Sequence, residues 1–85
     1  MFNITLTFNP LNINRVNYKN YIILRSKTDN TTFDLFGEFD NTIPKELLVN
    51  VYGIKKYNTN QIETNIDKIK QVLLTCDVVF VSKIK

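Results

Sequence analysis

The apolar residues of this chain keep a period of two through most of its length and a period of 3.6 in one stretch only. Period two sends alternate side chains to opposite faces of a strand; period 3.6 gathers them on one side of a helix. A chain written this way is limited to several strands and one amphipathic helix.

Phe2, Ile4, Leu6 and Phe8 alternate with Asn3, Thr5 and Thr7, which predicts a half-buried antiparallel strand ended by Asn9-Pro10. Asn9 to Asn20, with five asparagines, reads as an ordered loop with Leu11, Ile13 or Val16 tucked against the core, a short extra strand being the alternative. Tyr21–Lys27 is a second strand, with Ile22 and Leu24 facing one way and Tyr21 and Ile23 the other. Thr28-Asp29-Asn30 marks a hairpin turn, in which Asp and Asn stand in for glycine because they tolerate left-handed backbone. Thr32–Phe39 is a third strand. Its Phe33, Leu35, Gly37 and Phe39 share a face, and a glycine there indicates a bulge or a close approach.

Ile43–Tyr57 offers two readings. Thr42, Pro44 and Glu46 could open a short helix stopped by Gly53, whereas Val49, Val51, Tyr52 and Ile54 favour a strand. The strand, over roughly Leu47–Lys56 with Pro44 in the turn before it, is the expectation. Asn58–Thr75 is the helix. Ile62, Ile66, Ile69, Leu73 and Cys76 fall on one stripe. Asn58 and Gln61 have capping-box spacing, and Tyr57 is placed to staple onto Ile62. Val72 and Leu74 widen the apolar side, so the C-terminal end of the helix is expected to be the more buried. Val78–Ile84 closes the chain as a last strand. The expected fold is therefore α+β, β-β-β-β-α-β: a small curved antiparallel sheet of four to five strands with one amphipathic helix packed across it, in a single compact domain over residues 1–85.

Composition limits the chemistry. The 85 residues include no histidine, no tryptophan, no alanine and one cysteine. Histidine is the usual acid–base group near neutral pH and the commonest metal ligand, so most nucleophilic triads and zinc sites are excluded. Cys76 lies on the helix stripe with no histidine to activate it, and reads as a small core hydrophobe. Neither Gly37 nor Gly53 opens a phosphate-binding loop. Asp34, Glu38 and Asp40 share the second face of the third strand with Phe36. A line of acids can serve acid–base work or hold a metal, but the plainer expectation is a solvated sheet face with Phe36 as an exposed aromatic. No cofactor, metal site or enzymatic activity is expected.

What remains points to binding. The formal charge of +3 is mild, and the basic residues are interleaved with aromatics at Arg15-Tyr18-Lys19-Tyr21, Arg25-Lys27 and Tyr52-Lys55-Lys56-Tyr57. Tyr18, Lys19, Tyr21, Phe36, Tyr52, Lys55, Lys56 and Tyr57 are the candidate contact residues, since aromatics dominate interface energetics and lysines neutralise phosphates. Lysines at Lys55, Lys56, Lys83 and Lys85 would suit sheet edges, which could also support a homodimer. Phe, Tyr, Met, Ile, Asn and Lys make up 42 residues, and Gly, Ala, Arg and Pro only 6, a bias typical of AT-rich coding. A lone cysteine, no signal-like start and no long apolar run fit a cytoplasmic location away from membranes. The expectation is a small non-enzymatic module that binds a larger host protein or protein–nucleic-acid complex. Its most concrete form is a phage or mobile-element inhibitor of a host defence or host enzyme, of the anti-CRISPR kind. The alternative is a single-stranded nucleic-acid binder using the basic-aromatic groups.

Overall fold

The computed structural model describes residues 2–7, 21–40 and 46–81. Its elements are β1 (Phe2–Thr7), β2 (Ile22–Ser26), β3 (Thr32–Asp40), β4 (Glu46–Lys56), α1 (Ile66–Thr75) and β5 (Cys76–Val81). The five strands form one curled antiparallel sheet in the order β1-β4-β3-β2-β5, with the helix on one side. This is the expected α+β arrangement, and the strand choice for Glu46–Lys56 holds. The asparagine-rich loop, Pro44 and the terminal lysines lie outside the described residues.

The hairpin between β2 and β3 is built as its residue types require. Ser26 N–H donates to the Thr31 carbonyl at 2.8 Å, and Thr31 N–H donates to the Asp29 carboxylate at 3.0 Å. Asn30 takes the left-handed conformation at φ 59°. Hydrogen bonds from Thr31 and Ser26 hold the Asp29 carboxyl down to about 2.

One irregularity sets the register of the sheet. Phe36 pairs with Gly53, but Gly37 pairs with Val51, so Tyr52 is an extra residue in β4. Before it, Leu47, Val49 and Val51 face the core; after it, the core residue is Ile54, opposite Leu35. The chain's two glycines flank this bulge. A Cβ on Gly37 would lie 2.5 Å from the Asn50 carbonyl oxygen and 2.9 Å from Val49 Cγ1. No such side chain fits without backbone movement.

The core comprises Ile22, Leu24, Leu35, Leu47, Val49, Val51, Ile54, Ile69 and Cys76, all buried. Phe33 and Phe39 pack against it from β3, and Phe2, Ile4 and Leu6 from β1. Burying one such aliphatic side chain stabilises by about 1.5–3 kcal/mol.

The helix departs from the sequence expectation. It begins at Ile66 rather than Asn58, and Asn65 is its cap: the side chain accepts from the N–H groups of Asp67 at 3.0 Å and Lys68 at 3.3 Å. Asn58 instead has φ 66°, incompatible with a helix start, and Glu63 forms a bridge with Ile54 through two backbone hydrogen bonds of 3.0 and 2.6 Å. Pairing with β4 satisfies those backbone groups better than an isolated first helical turn would. The stripe breaks accordingly. Ile62 lies in the loop, about half exposed, and the one buried helical residue is Ile69. Leu74 is 80% exposed, because it points away from the side that carries Ile69, Val72 and Leu73. Cys76 is buried as expected, but as the first residue of β5, which begins two residues earlier than the sequence suggests. The β-branched run after Thr75 favours extended backbone, and Cys76 already has φ −117° and ψ 154°.

Two stability outcomes follow. Ile69→Ala should cost about 2–5 kcal/mol while Leu74→Ala stays within about 0.5 kcal/mol. Gly37→Ala should cost about 1–3 kcal/mol because the bulge cannot admit the methyl group. Urea midpoints at constant m-value measure all three.

Candidate functional site

The side of the sheet away from the helix is built from the residues that the core alternation sends outward. On β2 these are Ile23 and Arg25, with Tyr21 just before the strand. On β3 they are Asp34, Phe36, Glu38 and Asp40; on β4, Leu48, Asn50, Tyr52 and Lys55. Across the centre, Ile23 stands opposite Asp34 and Asp34 opposite Lys55.

Asp34 is 4% exposed, so the expectation of a wholly solvated acidic face is corrected at this residue; Glu38 and Asp40 are exposed as expected. The neighbours explain it. Tyr21 hydrogen-bonds the Asp34 side chain, and Lys55 extends over the adjacent Phe36, its Nζ 5.8 Å from the ring centroid. Phe36 is consequently half-buried rather than freely exposed. Asp34 Oδ1 has no hydrogen-bond partner among the described residues. A buried carboxylate oxygen in that condition is costly and strongly accepting.

The aromatic hydroxyls report this environment. The Tyr21 phenol is pushed above its ordinary value by burial first, then by the Asp34 charge, by Tyr57, and by the hydrogen bond to Asp34. Tyr52 is also raised, chiefly by its hydrogen bond to Glu38. Tyr21, Phe36, Lys55 and Tyr57 thus gather around Asp34, while Tyr52 stands beside Glu38. Tyr52, Tyr57 and Leu48 remain 40%, 54% and 42% exposed.

Lys56 does not join them. It pairs with Phe33 on the helix side, where it lines an open groove of about 740 Å³ with Phe33, Ile54, Ile62, Lys68 and Val72, a groove that Lys55 also borders. Alternation starts Lys55 and Lys56 from opposite faces of β4. Tyr18 and Lys19 lie outside the described residues. β1 pairs with β4 only over residues 46–51, so among the described residues Lys55 and Lys56 are strand-paired on the β3 side alone, as expected of lysines beside an open edge. Sequence reasoning placed Asp34 in a line of acids on a solvated face and not among the contact residues; its burial depends on Tyr21 and Lys55 arriving from outside β3. Cys76 shows no sign of activation: burial pushes its thiol up, which disfavours the thiolate.

No helix among the described residues is long and apolar enough to cross a membrane. Comparisons with protein-family models, with curated proteins and with solved structures find no match.

Site-resolved NMR titration should find Tyr21 and Tyr52 deprotonating above the ordinary tyrosine range. Glu38→Gln should return Tyr52 toward pH 10 and leave Tyr21 unchanged. Both phenols keep their protons longer when folded, so their contribution to stability is complete below about pH 10 and is lost as pH rises through the folded values.

Proposed function

We propose that this protein acts by binding another protein through the outer face of its sheet. The observation that carries the reading is the partly exposed aromatic and aliphatic set on that face, Tyr52, Tyr57 and Leu48, around the half-buried Phe36 and Lys55. Large side chains left open beside both signs of charge are the composition of a protein contact surface. The acids on this face favour this reading over the nucleic-acid one. Asp34, Glu38 and Asp40 run down the middle of the face, where a phosphate backbone would meet repulsion. The exposed Glu38 and Asp40 suit a partner that brings arginine or lysine.

Action would be stoichiometric, by occupying a surface of the partner. An inhibitor of a host enzyme or host defence, encoded by a phage or mobile element, is the concrete form, and the AT-rich coding bias supports that source.

Tyr52→Ala/Tyr57→Ala tests this reading, because both side chains are exposed enough to be removed without unfolding the sheet. Immobilised wild-type protein should retain a nuclease-resistant protein partner from host lysate, and the double variant should bind it about 10-fold or more weakly. Equal retention by both, or retention of labelled single-stranded DNA or RNA at low salt, would overturn it.

A further inference from the structure

The sheet has two edges, and they are built differently. β5 carries the exposed Asp77, ion-paired with Lys27 at 3.4 Å, and its pairing with β2 contains a bulge at Val79. A charge and a bulge are the usual means of keeping an edge from pairing. β1, Phe-Asn-Ile-Thr-Leu-Thr, has neither: it carries no charge and no proline, and its six residues pair with β4 in unbroken register from Phe2–Val51 to Thr7–Glu46. Among the described residues nothing pairs with its other side. Phe2, Ile4 and Leu6 pack against the core from this edge yet remain half-exposed.

We propose that β1 is a self-pairing edge, and that two copies of this chain join antiparallel through it about Ile4. The occupant is chosen by the pattern of the strand, which is symmetric about that residue. Antiparallel pairing centred there sets Ile4 opposite its own copy, Phe2 opposite Leu6, and Asn3 opposite Thr5. Apolar side chains meet apolar ones on the core side, and polar side chains meet polar ones on the outer side. Among residues 2–6 no charge is brought against a like charge; the nearby cation among the described residues is Lys70, whose Nζ lies 5.5 Å from the Phe2 ring centroid. The half-exposed Phe2, Ile4 and Leu6 become covered, and two five-stranded sheets become one continuous sheet. A two-fold axis perpendicular to the sheet leaves both outer faces on the same side. The dimer therefore presents two copies of the candidate contact surface together, although the pairing itself uses none of those residues and stands or falls independently of them.

The register is testable by charge. Asn3 and Thr5 are exposed, so lysine or glutamate is tolerated there in the monomer. In Asn3→Lys/Thr5→Lys every lysine faces a lysine of the second copy; in Asn3→Lys/Thr5→Glu every lysine faces a glutamate. Sedimentation equilibrium of the full chain from about 1 μM to about 1 mM should show a reversible dimer for the wild type. The Lys/Lys variant should dissociate at least about tenfold more readily than the Lys/Glu variant, with both folded by circular dichroism. A wild type that stays monomeric throughout, or two variants that associate equally, would overturn the proposal.

Discussion

The bulge at Tyr52 is the constraint on which the rest of this structure depends. One extra residue in β4 lets Leu47, Val49 and Val51 face the core on one side of it and Ile54 on the other. Without it, strict alternation after Val51 would direct Gly53 and Lys55 inward and turn Ile54 out. Lysine in the core would cost far more than the missing isoleucine, since its charge would lose water and gain no partner. Gly37 makes the bulge sterically feasible, because a side chain there would collide with the Asn50 carbonyl. Gly53 leaves room on the other strand. Its missing Cβ is where Ile62 Cγ2 lies, only 2.6 Å from the position a Cβ would occupy.

That close approach links the bulge to the helix. With Ile62 against Gly53 and Glu63 bridged to Ile54, the chain after β4 is committed to the sheet until Asn65 caps α1. The helix is consequently ten residues long and anchored to the core through Ile69. The bulge also shapes the candidate contact surface. It leaves Tyr52 on the outer face beside Glu38 and keeps Lys55 there to lie over Phe36. A single register shift thus serves packing on one side of the sheet and the arrangement of aromatic, basic and acidic groups on the other.

Much of this was legible from residue order. The alternation in Phe2–Thr7, the Asp-Asn turn, the face shared by Phe33, Leu35, Gly37 and Phe39, and the meaning of Gly37 all follow from local rules that the structure keeps. Asn58–Gln61 and the isoleucine stripe were equally regular, yet they misled. Periodicity describes what a segment can do alone, and the Ile54–Glu63 hydrogen bonds come from another part of the chain. The site divides the same way. Tyr52 and Lys55 were readable as surface residues of one strand, but the burial of Asp34 required three strands in register.

The sequence by itself determined the kinds of elements and their order, the apolar faces of β1 and β3 and the exclusion of histidine chemistry, because each depends only on residue type and short-range spacing. Tertiary structure decided the strand order, the late start of the helix and the burial of Asp34. It also decided which edge carries no charge or bulge. Those outcomes turn on hydrogen bonds and contacts between residues far apart in the chain, and spacing along a single segment holds no record of them.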